Sequence, residues 1–140
     1  RDRTRGGVVT DVHVAPTVAD IRHSPVMTIR DGDTLWDAWQ LMFVSGMRHL
    51  AVVDAHGTSI GVVSDRAILT DLPLTEQHLL GRHVSDVMSA PGSVTEETST
   101  QEAASRMARY ATDALPIVTS SGRPIALLTA ADLVDWVARD

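Results

Sequence analysis

The sequence predicts an α/β (α+β) fold made of two pseudo-symmetric β-α-β-β-α repeats. A buried strand that ends in a hydroxyl residue and turns directly into a helix occurs twice, at residues 60–68 and 125–133. The copies lie 65 positions apart, and a similar order of strands and helices precedes each of them. Repeats of this length cannot each bury a complete core, so we expect the halves to pack together about a pseudo-twofold axis.

This pattern divides the chain into four segments. Residues 1–16, which contain a Gly-Gly pair and three arginines, are expected to form an N-terminal tail. The first repeat covers residues 17–70, a linker covers residues 71–82, and the second repeat covers residues 83–138. The linker contains a proline and a short amphipathic piece around residues 76–80.

The first repeat is expected to begin with a short helical turn at residues 17–21 and an extended run at residues 26–30. Thr34 is a good N-cap for the long helix that follows, and Asp37 stands in the capping-box position. Apolar residues then recur at i, i+3, i+4 and i+7, which predicts a helix with one buried face. That face is predicted to contain Leu35, Ala38, Trp39, Met42 and Gly46.

Two buried strands and a second helix complete each repeat. In the first repeat the strands are predicted at residues 50–53 and 59–63, and Ser64 caps the helix. In the second repeat, Ser99 with Glu102 predicts the start of an equivalent long helix. Its buried face is predicted to contain Thr100, Ala103, Ala104, Met107 and Ala108.

The composition is that of an ordinary globular protein with an acidic balance. Hydrophobic residues make up 44% of the chain, charged residues make up 21%, and the formal net charge is -6 at pH 7. This acidity argues against a general nucleic-acid binder, which normally presents a basic face. No apolar run approaches the roughly 20 residues that span a bilayer, and no signal-peptide pattern is present, so we expect a cytoplasmic protein without a transmembrane helix.

No sequence pattern indicates a catalytic or metal site. Cysteine is absent, which excludes disulfides, thiolate metal sites and a cysteine nucleophile. The six histidines form no HExxH motif, and the sequence contains no GxSxG, P-loop or GxGxxG motif. We therefore expect no catalytic residue, no metal site and no required cofactor.

Ordered motifs in both repeats resemble those of the cystathionine-β-synthase (CBS) domain. In the second repeat the motifs are residues 84–88, 114–118 and 127–133, and in the first repeat they are residues 46–54 and 61–66. The ordered set occurs twice and spans nearly the whole chain. The sequence is therefore similar to a tandem CBS pair, or Bateman module.

The resemblance implies a disc-like regulatory module rather than an enzyme. Members of that family bind adenosine-containing ligands such as AMP, ADP, ATP or S-adenosylmethionine in clefts between the repeats. They commonly form dimers, so the resemblance implies a homodimer that acts on an effector protein, which the sequence does not identify. The alternative is a ligand-free dimerisation or protein-interaction scaffold of the same fold.

The resemblance also implies which residues hold the ligand on the second repeat. In that family a hydroxyl residue and an aspartate three positions later hold the ribose, and Thr129 and Asp132 match this pair. Val94, Ala114 and Leu115 are the residues expected to touch adenine. A structural interpretation is also open, because a threonine N-cap with an acidic residue three positions later satisfies free N–H groups of a helix.

The first repeat departs from the family pattern. Ser64 provides the hydroxyl, but Ala67 stands where the aspartate is expected and Ala51 where a proline is expected. Loss of a charge-assisted acceptor costs about 1.5–3 kcal/mol, which is roughly tenfold or more in affinity. The second repeat departs once, since Ala126 replaces the usual glycine before the helix. We expect at most one competent cleft, on the second repeat.

Two pairs of neighbouring residues near the turns have alternative roles. Arg66, which follows Asp65, either reaches a phosphate or is simply solvated. Arg48 and His49 face the central cleft in the geometry of the family. His49 either senses phosphate or pH, or is a hydrogen-bonded structural histidine.

An additional apolar stripe on the first long helix has two interpretations. Trp36, Phe43 and Met47 lie about 90° from the core stripe. The matching positions of the second repeat do not form a bulky apolar row. The stripe either packs against the other half or forms a dimer interface, for which aromatic enrichment is typical.

Overall fold

The computed structural model describes residues 15–21 and 23–139. Most of the expected N-terminal tail, residues 1–14, lies outside the described residues. No helix in the described part of the chain is long and apolar enough to cross a bilayer.

The first repeat forms a three-stranded sheet with two helices. Its elements are β1 (Thr28–Arg30), α1 (Leu35–Ser45), β2 (His49–Val53), β3 (Ser59–Ser64) and α2 (Asp65–Leu69). Strand β1 runs parallel to β2, and β2 runs antiparallel to β3, in the spatial order β1-β2-β3. A 3₁₀ turn, Val18–Asp20, precedes them. The order of elements predicted for this repeat is confirmed.

The second repeat follows a short linker helix and has the same order, with one strand shortened. Its elements, after the linker helix α3 (Glu76–Gly81) and a 3₁₀ turn (Val84–Asp86), are α4 (Thr100–Tyr110), β4 (Ala114–Val118), β5 (Pro124–Thr129) and α5 (Ala130–Ala138). Strands β4 and β5 pair antiparallel. The strand expected before α4 is reduced to a single parallel bridge between Val94 and Ile117.

The segment that leads into each repeat pairs with the last strand of the other repeat. Ser24 and Leu127 exchange two backbone hydrogen bonds, of 3.0 and 3.1 Å. Ser89 and Val62 exchange two equivalent bonds, both of 2.9 Å. The two pairs are related by the 65-residue offset, so the exchange follows the pseudo-twofold relation between the repeats.

The 3₁₀ turns are exchanged in the same way. Val18 is fully buried in the core of the second repeat, next to Val94 and Leu115. Val84 is fully buried in the core of the first repeat, next to Leu35. Because each repeat completes its core with a turn from the other, we expect neither repeat to be stable alone.

The predicted cap of α1 is confirmed, but its buried face is narrower than expected. The N–H of Asp37 donates to Thr34 Oγ1 over 3.1 Å, and the N–H of Thr34 donates to the Asp37 carboxylate over 3.2 Å. Trp39 is only half-buried. Gly46 is exposed, and it ends α1 with a left-handed backbone of φ 76°.

The buried face of α4 is also narrower than predicted. Ala103 and Met107 are buried, whereas Ala104 and Ala108 are exposed. Residues one position further along a helix lie about 100° further round its axis. The core therefore covers one stripe of α4 and leaves the neighbouring stripe in solvent.

The linker is held by an ion-pair network around Asp71. Its carboxylate accepts hydrogen bonds from Arg82 Nε at 2.9 Å, Arg82 Nη2 at 3.0 Å and His78 Nε2 at 2.9 Å. These contacts, first those from Arg82 and then that from His78, lower the pKa of Asp71 below the ordinary aspartate value. The same ion pair raises the pKa of Arg82.

Candidate functional site

Two clefts lie between the repeats and share part of their walls. The first cleft, of about 460 Å³, is built on the strand-to-helix turn of the first repeat and includes Ser64. The second cleft, of about 370 Å³, is built on the equivalent turn of the second repeat and includes Thr129. Arg48, His49 and Asp113 line both clefts and form what we call the shared wall.

The exchanged segments determine which other residues enter each cleft. Ser24, from the segment that leads into the first repeat, lines the second cleft beside Leu127. Ser89, from the segment that leads into the second repeat, lines the first cleft beside Val62. Each cleft is therefore composite, because it needs residues from both repeats.

The turn of the second repeat forms a complete capping box. Thr129 Oγ1 accepts from the Asp132 N–H over 3.1 Å, and Asp132 Oδ2 accepts from the Thr129 N–H over 2.9 Å. Asp132 Oδ1 accepts no hydrogen bond from the described residues. Thr129 lines the second cleft, whereas the half-buried Asp132 lies one turn into α5 and is not part of the cavity wall.

The turn of the first repeat forms only half of this arrangement. Ser64 Oγ accepts from the Ala67 N–H over 3.1 Å, as Thr129 does in the other repeat. Ala67 lines the first cleft but has no carboxylate to offer. The turns beside the two clefts therefore differ at the position three residues after the hydroxyl, where the second repeat has Asp132 and the first has Ala67.

Two arginines stand at the mouth of the first cleft. Arg48 is 81% exposed, and its Nε lies 4.0 Å from the Asp65 carboxylate. Arg66 is exposed, and its guanidinium has no hydrogen-bond or ion-pair partner among the residues that the structure describes. Arg66 is thus free to turn towards a bound anion, whereas Arg48 would exchange its contact with Asp65 for one with the anion.

His49 joins the two repeats through the shared wall. Its Nε2 lies 2.8 Å from Asp113 Oδ1, and because an ionised carboxylate only accepts, the imidazole is the donor. The His49 side chain is 15% exposed and that of Asp113 is 61% exposed. This contact supports the structural interpretation of His49, while its place on both cleft walls keeps it within reach of a ligand.

The residues expected to touch adenine line neither cleft in the described structure, and their contact with adenine stays a prediction. Val94, Ala114 and Leu115 are buried in or beside the core of the second repeat, with exposed fractions of 2%, 0% and 0%. The prediction followed the order of motifs along one repeat. The exchange of leading segments instead places Ser24 against the turn at Thr129, so residue 94 packs inward.

Sequence reasoning missed several residues of the second cleft, among them Asp113 and Met47. Asp113 lines both clefts, and Met47 lines the second cleft as well as packing against the first core. The repeat offset of 65 aligns Asp113 with Arg48, so extending the alignment by two residues beyond the buried strand would have identified Asp113.

The stripe on α1 is divided, because Met47 lines the second cleft between the repeats whereas Phe43 is exposed. Trp36 and Met47 pack against the core of the first repeat. Phe43 is 84% exposed, and its neighbour Val44 is 82% exposed. Within the described residues, α1 packs mainly on α2, α3 and β2, which leaves this face open.

Comparison with known proteins identifies the family. The model of the CBS domain matches the chain twice, at residues 18–73 and 84–139. The chain belongs to the CBS-domain family. The two matches coincide with the two repeats of the fold, so the chain is a CBS pair.

Solved CBS pairs have the same fold. The CBS-pair protein CBSX2 from Arabidopsis thaliana is 26% identical, with a TM-score of 0.72 over 90% of this chain and 96% of that chain. A second structure of CBSX2, 23% identical, is in complex with AMP. The CBS domain pair of protein MJ0100, in complex with 5′-methylthioadenosine and S-adenosylmethionine, is 20% identical with a TM-score of 0.74 over 90% of this chain and 98% of that chain.

Similar CBS pairs also occur inside larger proteins. A homoserine O-acetyltransferase of Methanococcoides burtonii is 31% identical over 117 residues, which are 84% of this chain and 23% of that protein. The chain spans 23% of the length of the first curated relatives that it matches. CBS pairs are typically regulatory rather than catalytic, and the similarity to this enzyme is confined to the CBS pair.

Proposed function

We propose that this CBS pair is a regulatory module that binds one adenosine-containing ligand in the second cleft. The observation that carries the proposal is the Thr129–Asp132 pair. Thr129 lines the cleft, and one carboxylate oxygen of Asp132 accepts no hydrogen bond from the part of the chain that the structure describes. A ribose has vicinal hydroxyls that need such an acceptor, and a charged acceptor contributes about 1.5–3 kcal/mol.

The remaining wall of the second cleft suits a purine. Met47, Leu127, Ala130 and Ala131 present apolar surface, and Ser24 adds a hydroxyl. A cavity of about 370 Å³ falls in the range of roughly 300–1,000 Å³ that is typical of small-molecule sites. The AMP complex of CBSX2 and the 5′-methylthioadenosine and S-adenosylmethionine complex of MJ0100 support an adenosine ligand, because both proteins share this fold.

We propose that the first cleft does not hold a ribose, although it is the larger cavity. Ala67 offers no acceptor at the position of Asp132, so a nucleoside there loses a charge-assisted hydrogen bond. Arg48 and Arg66 make a phosphate contact in this cleft possible, but a phosphate contact alone does not recognise adenosine. The expected stoichiometry is therefore one ligand per chain.

Thermal unfolding with candidate ligands tests this function. AMP, ADP, ATP and S-adenosylmethionine are added separately, to the wild-type chain and to Asp132→Ala. A ligand at about 100 times its dissociation constant stabilises the folded state by about 2.7 kcal/mol, which raises Tm by roughly 8 °C for a domain of this size. The variant should lose most of the shift. A wild-type Tm that none of the four ligands changes rules out the proposed function.

A ligand-free interaction scaffold is the second candidate, and the exposed face of α1 favours it. Phe43 and Val44 lie on this face and line a shallow groove together with Trp36, Trp39 and Gln40. Ala51 and Ala126, in contrast, are buried in β2 and β5 and line neither cleft, so they are no sign of lost ligand binding.

We propose that this face of α1 forms a homodimer contact, through which the ligand changes how the module presents itself to an effector protein. Aromatic and apolar side chains enrich the buried centre of protein interfaces. The equivalents of Phe43 and Val44 on α4 are Ala108 and Arg109, which do not make an apolar patch. The asymmetry favours contact between two copies of α1.

A further inference from the structure

Among the residues that the structure describes, the lining of the second cleft carries no surplus of fixed positive charge. Its wall contains one fixed cation, Arg48, and one anion, Asp113, and the Nε2–H of His49 is already donated to Asp113. Asp132 adds a second carboxylate one turn into α5. The fixed charges of the described lining, Arg48 and Asp113, therefore balance.

The first cleft contains an additional cation that the second cleft lacks. Arg66 lines the first cleft, and the residue 65 positions later is Ala131, which lines the second. Asp65 is likewise replaced by Ala130 in the second cleft. The start of α2 thus carries a charged pair, Asp65 and Arg66, that the start of α5 lacks.

Asp113 is the charge-reversed equivalent of Arg48. The Arg48 carbonyl accepts from the Asp65 N–H over 2.9 Å, and the Asp113 carbonyl accepts from the Ala130 N–H over 2.9 Å. The same backbone position therefore presents a cation from the first repeat and an anion from the second. The hydrogen bond from Ala130 also fixes Asp113 beside the start of α5, next to Thr129.

We infer that the second cleft selects adenosine compounds whose 5′ substituent is a neutral thioether or a cationic sulfonium over compounds that carry a 5′-phosphate. Asp113 is the selecting residue. This inference rests on the proposed function, because it assumes that the ribose is held at Thr129. A 5′-phosphate brings about two negative charges towards the Asp113 carboxylate and is repelled, whereas a sulfonium is attracted.

Calorimetric titration with four probes tests the selection. The probes are 5′-methylthioadenosine, S-adenosylmethionine, AMP and ATP without Mg²⁺, titrated into the wild-type chain and into Asp113→Asn. The asparagine amide oxygen still accepts from His49, so the fold is retained. Asp135→Asn is the matched control, because it removes one negative charge from the far part of α5, where Asp135 pairs with Arg139 at 2.9 Å.

The expected result is a change in the ratio of affinities. In the wild type, 5′-methylthioadenosine should bind about tenfold more tightly than AMP or ATP. Asp113→Asn should tighten AMP and ATP by about tenfold, weaken S-adenosylmethionine and leave 5′-methylthioadenosine within about twofold, whereas Asp135→Asn should change none of these ratios.

Salt dependence gives a second measurement that needs no variant. If Asp113 repels the phosphate, added salt should screen the repulsion and tighten AMP relative to 5′-methylthioadenosine. Three outcomes would overturn the inference but leave the proposed function intact. These are weaker AMP binding with added salt, ATP affinity equal to that of 5′-methylthioadenosine, and an Asp113→Asn effect that is the same for all four probes. Failure of every probe to bind overturns the proposed function and the inference with it.

Discussion

His49 of the first repeat donates its Nε2–H to Asp113 of the second repeat over 2.8 Å, in the wall that separates the two clefts. The contact joins the repeats at the point where a ligand in either cleft would touch both of them. Occupancy of a cleft and the packing of the repeats against each other are therefore physically linked, as a regulatory module requires.

The end of α4 is strained at Ala111, and replacing that residue with glycine should stabilise the protein. Ala111 has φ 51°, whereas the equivalent position at the end of α1 is Gly46 with φ 76°. A left-handed backbone costs a residue with a Cβ about 1 kcal/mol, and the greater freedom of glycine in the unfolded chain offsets part of the gain. Denaturant unfolding of Ala111→Gly should show a gain of about 0.5 kcal/mol.

Gly46→Ala is the matched control for this change. It introduces the same strain into α1, so its free energy of unfolding should fall by about 1 kcal/mol. If both variants move stability in the same direction, backbone strain does not explain the difference between the two helix ends.

The crossing of the exchanged segment over β3 requires glycine at position 61. A Cβ on Gly61 would stand 2.5 Å from the Ser89 carbonyl oxygen, which accepts the cross-repeat hydrogen bond from Val62. Gly61→Ala should therefore lower the free energy of unfolding by about 2 kcal/mol. In this variant, amide hydrogen exchange at Val62 and Ser89 should become faster than in the wild type, by more than exchange in the rest of the chain.

The equivalent position in the second repeat, Ala126, already accommodates a methyl group at 4% exposure. Ala126→Gly should lower the free energy of unfolding by about 1 kcal/mol, because a buried methyl group is lost and the unfolded chain gains freedom. Amide exchange at Ser24 and Leu127 should not increase more than elsewhere in the chain. Unchanged exchange at Val62 and Ser89 in Gly61→Ala would show that the crossing is not held by close backbone approach.

The linker network predicts a pH-dependent stability. The pKa of Asp71 is lowered in the folded state, so its ionised form contributes stability that is present above the unfolded pKa of about 3.9 and is lost as the pH falls through the folded pKa. Asp71→Asn should have a lower Tm than the wild type at pH 7. The difference should shrink as the pH is lowered from about 5 towards the acid range.

Asp135→Asn serves as the control here too, because the Asp135–Arg139 pair is exposed and lies at the C-terminal end of α5. Its Tm should stay close to that of the wild type at every pH. A Tm difference for Asp71→Asn that is constant from pH 7 to pH 3 would contradict a role of the ionised carboxylate.

Self-association through α1 predicts a dimer that one substitution breaks. Phe43→Glu places a charge on the most exposed aromatic side chain of this face without touching the core, whereas Trp36 also packs against the first core and is a poorer target. Sedimentation velocity should show a folded monomer for Phe43→Glu. Ala108→Glu, at the equivalent exposed position of α4, should remain dimeric, and a dimeric Phe43→Glu would rule out this interface.

Local patterns in the sequence predicted the elements and the unequal turns. The caps at Thr34, Ser64 and Thr129 form as expected, because a side chain three residues from its partner N–H needs no tertiary information. The contrast between Ala67 and Asp132 is also local, and in the structure only the turn of the second repeat contains the carboxylate.

The composition of the clefts was not predictable in the same way, because it depends on pairing between the repeats. Ser24 and Ser89 each pair with the last strand of the opposite repeat, and short bridges of this kind leave no periodicity in the sequence. That exchange is why Val94 packs in the core while Ser24 lines the second cleft.

The stoichiometry of adenosine-ligand binding tests the central claim that the second cleft is the one competent site. Titration calorimetry with 5′-methylthioadenosine is carried out on the wild type, Asp132→Ala and Ala67→Asp, the last of which places a carboxylate at the equivalent position of the first cleft. We predict one site per chain in the wild type, binding that is weaker by about tenfold or more in Asp132→Ala, and a second site in Ala67→Asp. Two equal sites in the wild type, or unchanged binding in Asp132→Ala, would contradict the account.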